Sequence, residues 1–351
     1  MNAEETSTEK KTDYWAFFAQ DAARTSGTKL YARLSSGVGG DAELREFASH
    51  VKKGQPRANI LLGAVHFLLL RGAEHHLRKF YATCGGTVRA EDEDPFPFFR
   101  DFVAQHKDAI APMIRTRVTN TNEVGRSALL NPGFRALAAE AGAPLHLVEI
   151  GPSAGLNLIW DRYGVRYLKD AGVAASISPA AKLVLDCELH GEKIPPTGPS
   201  PKVGSRIGLE LNPVDLSDAD DRDWLRALIW PDDVARLARL DKAIALFGEE
   251  RPEIRAGDAL ALLPDALAEI PARETACVYH TIALYQFSSE MKDALEAILA
   301  VAGVRRPVYR LSFEYDGNDY ALSLIRYADG QCEEKVLSLS HPHGRWIDWR
   351  A

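Results

Sequence analysis

The segment 145–163, LHLVEIGPSAGLNLIWDRY, runs from an apolar strand pattern through a glycine-bearing turn straight into a helical pattern. A strand handing over to a helix is the opening half of a β-α-β unit, and it commits the following chain to an α/β fold with a mostly parallel sheet. In such a turn Gly151 lets the backbone reverse sharply and Gly155 lets a ligand or the helix come close. Free N–H groups at the helix start favour an electron-rich ligand. The spacing differs from the dinucleotide fingerprint G-x-G-x-x-G. A strand-turn-helix also needs glycines simply to turn, so the segment alone fits a ligand loop and a plain turn equally.

Before this segment the pattern is different. From Tyr14 to about Gly142 apolar residues recur at three and four positions, as in Leu44, Phe47, Ala48 and Val51, which predicts an all-helical region. Breaks are expected at 35–40 (SSGVGG), at Gly85-Gly86 and along the acidic, Phe-rich stretch 91–99. Asn131 before Pro132 reads as an N-cap followed by proline at the first helical position, opening a helix to about Ala141. After Pro144, strands are predicted at Leu145–Ile150, Arg206–Leu211, Glu253–Ala256, Ala276–His280, Pro307–Phe313, Tyr320–Tyr327 and Glu334–Ser338. The last two flank an Asp329-Gly330 hairpin turn. The stretch Trp224–Pro231 reads as an amphipathic helix with core tryptophans.

The charge balance, 42 basic against 49 acidic residues with no basic run, argues against nucleic acid as a partner. The cysteines Cys84, Cys187, Cys277 and Cys332 form no C-x-x-C pair, which gives no support to zinc or disulfides and suits a reducing compartment. The longest apolar run, Ile60–Leu70, is interrupted by His66 and is too short for a bilayer. The polar stretch 1–13 shows no secretory pattern, so a cytoplasmic protein without membrane partners is expected. The sequence does not encode an oligomeric state in any legible way.

The glycine-bearing segment resembles the first motif of class I, Rossmann-like S-adenosylmethionine-dependent methyltransferases. That motif has an acidic residue two positions before the first glycine of a short turn: here Glu149, with Gly151, Pro152, Ser153, Gly155 and Asn157 forming the loop. The resemblance places Glu149 near the methionine end of the cofactor. The stretch 206–213, RIGLELNP, resembles the second motif, with Glu210 as the ribose carboxylate followed by Leu211. The stretch 253–259, EIRAGDA, resembles the third, with Asp258 meeting the adenine amino group beside Ala259. The strand at 276–280 then ends in polar residues where the family places substrate-facing groups.

The implied fold is α/β, a Rossmann-like seven-stranded mostly parallel sheet of order 3-2-1-4-5-7-6. It carries an N-terminal all-helical domain (1–140) as a substrate cap on a cofactor domain (141–351). A closer resemblance is to an uncharacterised bacterial family marked by EIGxSAGLNL, TNEVGR and WLxALxWP, here Glu149–Leu158, Thr121–Arg126 and Trp224–Pro231. One departure concerns spacing. Glu149 and Glu210 lie 61 positions apart, where roughly 20 separate glycine loop and ribose carboxylate in the usual pattern. The excess, about 164–205, reads as an inserted strand pair or lid between strands 1 and 2, and it leaves Asp186 or Glu188 as alternative ribose ligands.

Methyl transfer from a sulfonium works mainly by proximity and orientation. A small-molecule acceptor with a hydroxyl or ammonium would call for a general base, and His280 at the end of the fourth strand is placed for it, with Tyr279 and Tyr285 beside it. A histidine there equally serves as a satisfied structural residue. Asn122, Glu123 and Arg126 precede the first strand and suit an acceptor pocket, Arg126 for a carboxylate or phosphate; Asn122 also suits a plain helix cap. The pairs His75-His76 and His341/His343 lack a third ligand at metal spacing, so no metal is expected. Two other readings stay open. Gly151-x-Ser153-x-Gly155 is also the nucleophile elbow of α/β-hydrolases, with Asp258 or Glu314 and then His341 or His343 in the required order. A catalytically silent cofactor-binding or regulatory protein fits the same residues.

Overall fold

The computed structural model describes residues 14–23, 29–142 and 144–351. The stretch 1–13, read above for a secretory pattern, lies outside the described residues. The chain divides into two compact units, Met1–Thr121 with Asp218–Ala238, and Asn122–Ser217 with Arg239–Ala351. The division therefore falls at 121/122 rather than near 140, and the segment after the second predicted strand returns to the first unit.

The first unit is helical: α1 (Tyr14–Asp21), α2 (Lys29–Gly40), α3 (Ala42–Ser49), α4 (Arg57–Leu70), α5 (Phe96–Gln105), α6 (Lys107–Thr116) and, numbered in chain order, α8 (Ala219–Ala227). Helix α4 is buried on every side and forms the centre of the core. Its one buried polar side chain, His66, is satisfied by the Ala227 carbonyl at 3.0 Å and Thr83 Oγ1 at 2.7 Å, and burial pushes its pKa down to about 4. Helix α2 runs through the break expected at 35–40. Its Gly37 is required because a Cβ there would run into the Phe96 ring. Trp224 is buried and donates to the Val118 carbonyl at 2.9 Å.

The second unit opens with α7 (Ser127–Ala141) and β1 (Leu145–Ile150), followed by a 3-10 segment, Leu156–Arg162, where a longer helix was expected. The rest is β2 (Gly164–Lys169), β3 (Gly172–Ile177), β4 (Val184–His190), β5 (Val203–Glu210), α9 (Val234–Glu250, inside which the division at 238/239 falls), β6 (Glu253–Ala256), α10 (Ala259–Ala268), β7 (Thr275–Thr281), α11 (Ser289–Arg305), β8 (Val308–Tyr315), β9 (Tyr320–Ala328), β10 (Gln331–Ser340) and β11 (Trp346–Trp349).

All eleven strands join one mixed, mostly parallel sheet of order β3-β2-β4-β11-β10-β9-β8-β7-β1-β5-β6. This corrects the seven-stranded expectation twice. After β8 the chain runs as a plain antiparallel meander, β8-β9-β10, through the Asp329-Gly330 turn, so no later strand inserts between β8 and β9. The insertion supplies β2, β3 and β4, which extend the sheet at the edge opposite β6 and form no lid at its end.

Successive residues of a strand face opposite sides. On one face Tyr279 of β7 meets Phe134 of α7 edge-on at 5.1 Å, and Phe134 stacks on Trp160 at 4.6 Å. On the other, Val148, Ile150, Leu209 and Val278 pack with α10 and α11.

Pro132 lies inside α7 rather than at its start, and Asn131 is buried within the helix. A proline has no N–H for the carbonyl four residues back, here that of Ala128. The Tyr167 hydroxyl of β2 donates to that carbonyl at 2.8 Å and supplies the missing bond. Tyr167→Phe is expected to destabilise the fold by about 1–3 kcal/mol without changing its topology, as measured by urea unfolding with circular dichroism.

Candidate functional site

The ends of β1, β5, β6 and β7 face one edge of the sheet because these strands are parallel, and open α/β sheets bind ligands at that edge. The loop leaving β1 is tightly bent: Gly151, Ser153 and Gly155 have φ of 69°, 56° and 80°. A Cβ on Gly155 would lie 2.8 Å from Ile254 Cδ1 and 3.1 Å from Phe247, so both space and backbone demand glycine. Ser153 adopts its left-handed backbone with no compensating side-chain bond. Its Oγ is buried and has no hydrogen-bond partner among the described residues.

Glu210, the last residue of β5, fixes this loop. One carboxylate oxygen accepts from Ser153 N at 2.8 Å, the other from Asn212 N at 3.0 Å, and its carbonyl accepts from Gly257 N at 2.9 Å. The end of β5 thus holds the turns after β1 and β6 together. Leu211, next along, is 70% exposed. Asp258 is exposed and caps α10 through Leu260 N at 2.8 Å, with Ala259 beginning the helix.

Glu149 is fully buried on β1 and accepts from the Tyr279 hydroxyl at 2.9 Å. Burial drives its pKa up to about 8. The Tyr279 bond opposes this, Glu210 adds to it, and Arg126 opposes it. The carboxyl therefore keeps its proton at neutral pH and acts as a neutral hydrogen-bonding group.

The segment before α7 clamps the glycine loop from the other side. Asn122 Oδ1 accepts from Leu156 N at 2.9 Å, and Asn157 accepts from Ser127 Oγ at 2.8 Å while donating to the Glu123 carbonyl at 3.4 Å. Glu123 is buried and caps Gly125 N at 2.9 Å. Arg126 donates to the carbonyls of Thr281 and Pro342, each at 2.8 Å. Asn122, Glu123, Arg126 and Asn157 lie together at the loop, and their contacts in this arrangement shape it.

His280 is placed differently from the expected base. It shares the parity of Val278, so its ring is fully buried on the α10–α11 face, with Nδ1 2.8 Å from Glu314 Oε1. Burial lowers its pKa, against the pull of Glu314, and the ring is neutral. Its Nε2 is buried and has no hydrogen-bond partner among the described residues. Glu314 also accepts from Ala283 N at 2.9 Å and Leu284 N at 3.1 Å, fixing a turn in which Ile282 has φ 53°, a strained value for a β-branched residue. This turn packs against the glycine loop, since a Cβ on Gly151 would sit 3.1 Å from Ala283 Cβ. Tyr285 follows it and is 71% exposed.

Residues 15–349 match the model of a family described as an uncharacterized protein conserved in bacteria (DUF2332). The chain belongs to this family. Its match covers both units and every loop described above. No curated protein and no solved structure matches the chain.

Within this DUF2332 chain the alternative ribose ligands are remote from the loop. Asp186 is held bidentate by Arg166 at 2.7 and 2.8 Å, and Glu188 lies on the same strand β4, six places from β1 in the sheet order. For the hydrolase arrangement, Glu314 is paired with His280, and no histidine bonds Ser153 Oγ among the described residues. His75 and His76 pair with Asp101 and Glu93 at 3.0 and 3.2 Å. Among the described residues no helix is long and apolar enough to cross a membrane.

Sequence reasoning missed the role of Glu314 as the clamp of the β7 turn, and it considered His341 and His343 only as metal ligands or as the hydrolase histidine. Strand direction was the available signal for the second: a polar loop after a strand running with β1 opens on the ligand edge.

Proposed function

We propose that the second unit binds S-adenosylmethionine at this edge and transfers its methyl group to a small-molecule acceptor. The Glu210–Ser153 bond carries the reading: a carboxylate at the tip of the strand beside β1 is tied to the glycine loop, the pairing that a ribose and a methionine tail straddle. The run β6-β5-β1-β7-β8 supports it, being the 3-2-1-4-5 order of a Rossmann-like domain.

The residues present fit the cofactor. Glu210 keeps lone pairs for a ribose diol beyond the two backbone bonds, exposed Leu211 offers an apolar face to adenine, and Asp258 keeps one oxygen for the exocyclic amine. Ser153 Oγ is a buried hydroxyl in want of a partner. S-adenosylmethionine supplies an activated methyl on a sulfonium that leaves as a neutral thioether. The chain's part is to orient: Glu149, kept protonated, donates and accepts without repelling a carboxylate, and the Glu314 clamp holds the β7 turn.

S-adenosylhomocysteine at 100 times its dissociation constant is expected to add about 2.7 kcal/mol of stability, read as a rise in melting temperature that NAD does not produce. An equal response to both, or to neither, would overturn the reading. The strained Ser153 favours one rival, the serine hydrolase. That rival requires p-nitrophenyl ester hydrolysis which Ser153→Ala abolishes.

A further inference from the structure

Building on the methyl-transfer reading, we propose that His341 belongs to the same site and presents an Nε2–H donor to a carboxylate of the methyl-accepting small molecule. Strand direction places the residue. β9 runs against β8 and β10 against β9, so β10 runs with β1, and its end at Ser340 opens on the edge where the glycine loop lies. By strand count that end is about 14 Å from β7, yet the loop beyond it folds back. Arg126 Nε holds the Pro342 carbonyl at 2.8 Å while Nη1 of the same guanidinium holds the Thr281 carbonyl at 2.8 Å, so the two lie within one side chain's span.

The return is fixed by two glycines. A Cβ on Gly125 would strike the His343 carbonyl oxygen, and one on Gly344, at φ 70°, would strike the Gly125 carbonyl. The loop after β10 is thereby locked to the 122–126 segment, which in turn holds Leu156 N and Asn157 of the glycine loop.

The hydrogen bonding of His341 sets its chemistry. Its Nδ1 accepts from His343 N at 3.0 Å, so the neutral ring carries its proton on Nε2. The residue is half-buried, and among the described residues its side chain is bonded through Nδ1. Burial and then Arg345 lower the ring's pKa, with Glu123 opposing, which keeps the donor neutral. Charge of both signs lies around the ring: Arg345 lowers its pKa, Glu123 raises it, and Arg239 Nη2 is 3.8 Å from Glu123. A neutral Nε2–H group can only donate, so a carboxylate oxygen suits it and an ammonium, which has no acceptor, does not.

The test uses the full chain labelled with 15N-histidine. In protein saturated with S-adenosylhomocysteine, the His341 imidazole signals are expected to report the Nε2–H tautomer and to move on adding benzoate but not benzyl alcohol. His341→Ala is expected to weaken benzoate binding at least about tenfold while leaving S-adenosylhomocysteine affinity unchanged. If S-adenosylhomocysteine does not bind at all, the methyl-transfer reading fails. If it binds, and His341 reports the Nδ1–H tautomer or ignores benzoate, this inference fails alone.

Discussion

Replacing Glu149 by glutamine is expected to make the protein about 3–5 kcal/mol more stable than the parent at pH 9, with little difference at pH 5. The sign follows from the direction of the shift. Burial raises the Glu149 pKa from its ordinary 4.5 to about 8 in the folded chain. A group with a raised folded pKa contributes stability fully below its unfolded pKa and loses that contribution as pH rises through the folded value. Between pH 4.5 and 8 the unfolded carboxyl ionises while the folded one keeps its proton, so the parent weakens across this window. The amide introduced by Glu149→Gln does not titrate. It retains an acceptor for the Tyr279 hydroxyl and a donor in place of the carboxyl proton. Urea unfolding followed by tryptophan fluorescence at several pH values reads the difference. Parallel pH profiles for parent and variant would show that Glu149 ionises normally.

The second large effect concerns Glu210. Glu210→Ala is expected to weaken S-adenosylhomocysteine binding about 100-fold or more, since two charge-assisted bonds of about 1.5–3 kcal/mol each are lost. The Ser153 and Asn212 N–H groups are left without their carboxylate, and the glycine loop loses its tie to β5. Glu210→Gln, which keeps one good acceptor, is expected to fall between parent and alanine variant. Glu188→Ala is expected to change nothing, because β4 lies six places from β1 in the sheet. Equal losses in Glu188→Ala and Glu210→Ala would contradict this assignment.

The residues that proved legible in the sequence are those whose pattern is local. The 145–155 stretch switches from strand to turn over a few residues, Glu210 ends β5 and Asp258 follows β6 as the cap of α10, so their places at one edge followed from β-α-β order alone. The Asp329-Gly330 turn, with φ of 52° and 74°, carries its own backbone signature.

What stayed hidden depends on contacts between distant segments. Asn131-Pro132 looked like a helix start because nothing nearby tells of Tyr167, which completes the Ala128 carbonyl from an inserted strand. That insertion read equally as a strand pair or a lid because only the spacing of Glu149 and Glu210 marked it, and the pairing of its strands with the distant β11 has no local signal. The burial of His280 was readable in principle: it alternates with Tyr279 and shares a face with Ala276 and Val278, both core residues. Proximity to a strand end outweighed that parity in the sequence reading. Glu314 and the His341 loop come from strands after β7, where the expected order of strands differed from the meander found.

Titration calorimetry of the intact chain with S-adenosylhomocysteine tests the central claim most directly. One molecule is expected to bind per chain, with the heat lost in Glu210→Ala and retained in Glu188→Ala. A chain that evolves no binding heat in a form whose folding is verified, or one that binds equally well without the Glu210 carboxylate, would contradict the account.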